Sequence, residues 1–155
     1  MTHEEVTKRI EQWLIKTKRC SFSFVELRSF TDSGEIPDNI GWRCTDQVSI
    51  LVEAKISKTD FMSDQKKPFR QNPMTGVGNY RYYACPPDVI HPEWLPAQWG
   101  LLYLYPTLIR VIQEAEPFLQ PIVGMNERPI LMTALRRVHI RGDLQKIYDR
   151  RTVPK

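Results

Sequence analysis

Between Val48 and Ile56 the chain alternates, with Val48, Ile50, Val52, Ala54 and Ile56 on one side and Ser49, Leu51, Glu53 and Lys55 on the other. This is the two-residue period of a β-strand. Glu53 and Lys55 therefore share one face of a segment that otherwise reads as core. The same period runs through "CSFSFVEL" and through "IPDNIGW", where Ile36, Asp38, Ile40 and Trp42 fall on one side. "YRYYAC", "GLLYLY" and "LIRVIQ" predict three further strands. In residues 2–18 the apolar positions Val6, Ile10, Trp13 and Leu14 recur at helical spacing, and Thr2 with Glu5 suits a capping box. A second helix is expected to start at Ser57, its N-cap, with Asp60 in the first turn, and to stop at Pro68 after Lys66 and Lys67. A polar, basic final helix is expected over roughly 126–141. The order helix, three strands, helix, strand, then additions predicts an α/β fold: a mixed sheet flanked by helices.

Composition narrows this picture without redirecting it. With 155 residues, 41% hydrophobic and 26% charged, the chain matches one soluble domain able to bury a single core. A formal charge of +4 and a pI near 9.0 favour an anionic partner such as nucleic acid. Cys20, Cys44 and Cys85 make neither a zinc spacing nor a disulfide framework, so reduced thiols and a cytoplasmic location are expected. No apolar stretch approaches membrane-spanning length, and the charged start has no signal-peptide character. His3, His91 and His139 are scattered and form no ligand pattern.

Asp38 sets an acid on the apolar register of its strand, where an isolated carboxylate is costly unless it is protonated, paired or bound to a metal ion. If the strands through Asp38 and Glu53 pair as a hairpin, the two acids converge at one end of the sheet with Lys55 beside them. Two carboxylates and a few waters suit Mg²⁺. Such a site supports phosphodiester hydrolysis, the metal activating water and the ammonium of Lys55 stabilising charge on the phosphorane-like transition state. Glu26, at the end of the first strand, is a candidate third acid. The plainer alternatives are a solvated strand face with a cross-strand ion pair for Glu53 and Lys55, a turn residue after Pro37 for Asp38, and a surface acid for Glu26.

"PD", fifteen positions from Asp38 to Glu53, then "EAK", in this element order, resembles the PD-(D/E)XK nuclease superfamily with its restriction-endonuclease-like αβββαβ core. "PDNIGW … SILVEAKISKTDFMSDQKKPFR … GNYRYYACPP" is more narrowly similar to small bacterial and phage members related to the MmcB-like DNA repair proteins. The resemblance covers about residues 22–105 well and the C-terminal fifty poorly. It implies one nuclease-like domain over 1–155, the segment from about 125 being a basic helical extension. It further implies metal ligation by Asp38 and Glu53, Mg²⁺ or Mn²⁺ as cofactor, and Lys55 as the catalytic lysine. The backbone carbonyl of Ala54 is a further ligand candidate. Many members carry an additional glutamate on the first helix; Glu4, Glu5 and Glu11 lie off the apolar stripe, and Glu26 resembles a strand glutamate of the MmcB-like group that could take that part. DNA is the expected partner, and a homodimer is common where a nuclease of this size cuts both strands. The other reading is a catalytically silent nucleic-acid-binding or assembly module on the same fold.

Lys58, Lys66, Lys67 and Arg70 are candidates for phosphate contact from the helix after the site, with a solvated helix face as the alternative. Tyr80, Tyr82 and Tyr83 either stack on bases or pack the core. Trp94 and Trp99 read as core anchors. Arg136, Arg137, Arg141, Arg150 and Arg151 make the C-terminal segment basic.

Overall fold

Alternation in the sequence is realised as one mixed sheet in a computed structural model that describes residues 1–31, 33–119 and 121–149. Its strands are β1 (Phe22–Val25), β2 (Asn39–Arg43), β3 (Val48–Ala54), β4 (Tyr80–Cys85), β5 (Gly100–Leu104) and β6 (Ile109–Gln113), lying side by side in chain order. β1, β2 and β3 pair antiparallel, β3, β4 and β5 pair parallel, and β6 returns antiparallel to β5. Four α-helices are described: α1 (His3–Lys16), α2 (Lys58–Asp64), α3 (Pro68–Gln71) and α4 (Pro121–Ile140). The protein is thus a single-domain α/β fold with a six-stranded mixed sheet flanked by helices, as the pattern predicts. Arg150 and Arg151 lie outside the described residues.

α1 lays Val6, Ile10, Trp13 and Leu14 against Ile50, Val52, Ala54, Tyr82, Ala84 and Leu102 on one sheet face. Its start is closed by the predicted capping box, with the Thr2 hydroxyl accepting from the Glu5 amide and the Glu5 carboxylate accepting from the Thr2 amide. The opposite face carries Ile40, Trp42, Leu51, Tyr83 and Leu101, covered by Phe61 of α2, Val77, Trp99 and Ile130 of α4. Both faces of β3 are therefore dry. Glu53 and Lys55 are only 2% and 4% exposed, which removes the solvated-face alternative. Tyr82 and Tyr83 are buried among these side chains and are not free to stack on bases.

Four boundaries differ from the sequence reading. β2 begins at Asn39, so Ile36 lies outside the strand, half-exposed, after Pro37 has removed an amide from the ladder. β3 ends at Ala54, leaving Ile56 exposed. Pro68 does not terminate the second helix; α2 stops at Asp64, and Pro68 opens α3, where its fixed φ and missing amide suit a first turn. α4 starts five residues before the expected 126 and ends at Ile140, two residues before Gly142, whose φ of +75° provides the left-handed stop. α4 is fixed to the sheet by Glu127, whose buried carboxylate accepts from Ser49 Oγ, from Trp42 Nε1 at 3.0 Å and from the Gly78 amide at 2.9 Å.

Candidate active site

The antiparallel register of β2 and β3 sets Asn39 opposite Val52, so Asp38 and Glu53 arrive at the same sheet end. The Ala54 amide donates to Asp38 Oδ2 at 2.9 Å, tying the acid to the neighbouring strand. Lys55 follows at the carboxyl end of a strand that pairs parallel with β4, the end at which α/β sheets present ligand sites. Its Nζ stands 3.4 Å from Glu53 Oε2 and 3.8 Å from Asp38 Oδ2. The three motif residues are therefore together.

A further acid completes the setting of Lys55. Asp64, on the last turn of α2, places Oδ1 3.6 Å from Lys55 Nζ. Burial alone would lower the Lys55 pKa, but Glu53, Asp64 and Asp38 outweigh it and raise it, so the group is an ammonium. Burial likewise works against charge on Asp64, yet Arg70 and Lys55 hold its carboxyl well below the usual carboxylate range. Tyr83 donates to Asp64 Oδ2 at 2.7 Å, and Lys67 Nζ lies 2.7 Å from Oδ1.

Arg70 corrects an expectation. It is 9% exposed, and its guanidinium turns inward onto Asp64 at 2.8 Å, Glu53 at 3.2 Å and Glu35. It is an internal counter-ion, not a phosphate contact, because three carboxylates on separate segments converge where the short α3 delivers it. Lys58 and Lys66 are exposed, as is Lys67, which also touches Asp64. Lys58 Nζ rests 4.3 Å from the Trp94 ring centroid.

Asp38 is incompletely compensated by the cations around it. Burial, and then the charge of Glu53, push its carboxyl up to about 7. The residues present fit an added divalent cation at Asp38 and Glu53: the donors are hard oxygens, and a cation beside them would offset the burial and the Glu53 charge that press on Asp38.

Glu26 is brought to the rim, its amide donating to the Asp38 carbonyl at 3.0 Å and its carboxylate largely exposed. Between Glu26 and Asp38 stands His3, with Nδ1 3.6 Å from Glu26 Oε1 and Nε2 3.6 Å from Asp38 Oδ2. The sequence reading missed His3, since nothing local links residue 3 to residues 26 and 38. It also missed Glu35 and Asp64. Asp64 had a readable signal, an acid on the apolar side of α2 three residues after Phe61.

No protein-family model matches the chain, and no curated protein matches it. Among solved structures, the SPO1766 protein of unknown function from Silicibacter pomeroyi is similar, with a TM-score of 0.63 at 20% identity over 94% of each chain. That likeness extends the α/β fold, and the fold alone, to a solved structure.

Proposed function

We propose that this chain is a metal-dependent nuclease of the PD-(D/E)XK type, with a restriction-endonuclease-like core, that hydrolyses DNA phosphodiester bonds. The observation that carries the reading is the meeting of Asp38 and Glu53 at one end of adjacent strands with the Lys55 ammonium within 3.8 Å of both. Asp38 and Glu53 would hold Mg²⁺ or Mn²⁺. Such an ion, when bound, polarises the scissile phosphate and lowers the pKa of a water. Lys55 keeps its proton among three carboxylates, so it serves as a donor that orients the attacking water and meets charge on a non-bridging oxygen, not as a general base. Asp64 fixes Lys55, and Arg70 fixes Asp64 and Glu53, so the donor is held before substrate arrives. Lys58, Lys66 and Lys67 supply phosphate contacts that position DNA without reading sequence.

Cleavage of labelled single-stranded, duplex and branched DNA tests this reading. Asp38→Ala and Glu53→Ala are expected to lose metal-dependent cleavage while remaining folded. One observation favours a second reading, a binding or assembly module without turnover: Glu53 is already paired to Arg70 at 3.2 Å. Salt-sensitive DNA binding with no cleavage under Mg²⁺ or Mn²⁺ would select it.

A further inference from the structure

We propose that His3 is a metal ligand beside Asp38, that Glu26 is its positioning residue, and that the site therefore takes a first-row divalent transition-metal ion in preference to Mg²⁺. This rests on the metal-site reading and sharpens it, giving Glu26 a different part from that of a third catalytic acid.

Three separated segments build the arrangement: the first residue of α1, the end of β1 and the approach to β2. The two nitrogens of one imidazole face two carboxylates, Nδ1 toward Glu26 Oε1 and Nε2 toward Asp38 Oδ2, each at 3.6 Å. Both gaps exceed a hydrogen bond. Two donors each roughly 2.1 Å from one ion stand about 3.0–3.5 Å apart, so an ion between Nε2 and Asp38 needs little movement of either. A ligating histidine commonly gives its other ring N–H to a carboxylate, which orients the ring and raises its basicity; Glu26 is placed for that part. Donor atoms of His3, Glu26 and Asp38 all lie within 4.8 Å of one another. The location also suits the charge. The nearest lysine ammonium, Lys55 Nζ, stays 3.8 Å from Asp38 Oδ2. Hard oxygen donors alone would suit Mg²⁺, whereas an imidazole nitrogen in the set favours Mn²⁺, Fe²⁺, Co²⁺ or Zn²⁺.

Mn²⁺ binding to the whole chain, read by pulsed electron paramagnetic resonance, tests this without any substrate. Wild type should bind Mn²⁺ with ¹⁴N modulation from a coordinated imidazole. His3→Gln should lose that modulation and weaken Mn²⁺ more than Mg²⁺. Glu26→Gln should keep the modulation and weaken Mn²⁺ by about 10–100-fold. Thermal melts check that both variants fold. Mn²⁺ bound without ¹⁴N modulation, or modulation that survives His3→Gln, overturns the assignment of His3 and leaves the Asp38–Glu53 site standing. No Mn²⁺ bound to wild type overturns both. A His3-dependent signal in a protein that cuts no DNA upholds the ligand assignment and refutes the nuclease reading.

Discussion

Asp38 couples the site to pH. In the unfolded chain its carboxyl releases a proton near 3.8, whereas in the fold it holds the proton up to about 7. Between those values the folded state binds the extra proton, so this group's contribution to stability falls as pH rises and levels off above about 7. Asp38→Asn removes that penalty: without metal, the variant should gain most over wild type at pH 8 and least near pH 4, as read by urea unfolding across pH. Below pH 7, metal must displace the proton, so metal affinity of wild type should rise with pH up to about 7. Arg70 makes the opposite demand, since three buried carboxylates depend on it. Arg70→Ala should cost about 3–5 kcal/mol in equilibrium unfolding, and Arg70→Lys should recover little, because one ammonium cannot replace a planar fork on several partners. Strand parity, together with the resemblance carried by the PD and EAK motifs, singled out Asp38, Glu53 and Lys55 as candidates. Spacing could not say that Arg70 points inward, because that is decided by Glu35 and Asp64, which come from a loop and another helix.

At the scale of elements, the strands were legible because their alternation survives burial on both faces. Their ends were less so. Pro37 trims β2 to Asn39, and Pro68, a helix stop by rule, opens α3 instead, since a proline suits a first turn as well as it blocks a continuing one. The break between α2 and α3 has a consequence for the site. One continuous helix would continue along the α2 axis, whereas the turn at residues 65–67 brings Arg70 back onto Asp64 of the preceding helix. The exposed Lys58, Lys66 and Lys67 lie on or beside these helices and, under the proposed function, would be its phosphate contacts. Replacing all three with Gln should weaken duplex binding alike across sequences and reduce the slope of log K against log salt by about 2–3, measured by fluorescence anisotropy between 50 and 200 mM salt, roughly the range in which such contacts are lost. An unchanged slope would mean that DNA does not cross this face.

For the whole molecule, the sheet splits its labour between two faces. α1 closes one with an apolar stripe, and α2, α3 and α4 close the other around a set of buried charges. Element order made the mixed sheet readable from sequence. The seating of α4 was not, because its Glu127 reaches back to Trp42, Ser49 and Gly78, which lie 85, 78 and 49 residues away along the chain. Among the described residues, no helix is long and apolar enough to cross a membrane. In the proposed function, Lys55 acts on a phosphodiester whose metal is held by Asp38 and Glu53. The most direct measurement is the cleavage rate of labelled DNA at pH 8 with Mg²⁺, Mn²⁺ or chelator, comparing wild type with Lys55→Met, which keeps the length of the side chain and removes its charge. Metal-dependent cleavage by wild type, abolished by chelator and reduced at least about 100-fold in a folded Lys55→Met, is the predicted result. A wild type that binds metal and DNA yet cuts no single-stranded, duplex or branched substrate, or a Lys55→Met that cuts as fast as wild type, would contradict it.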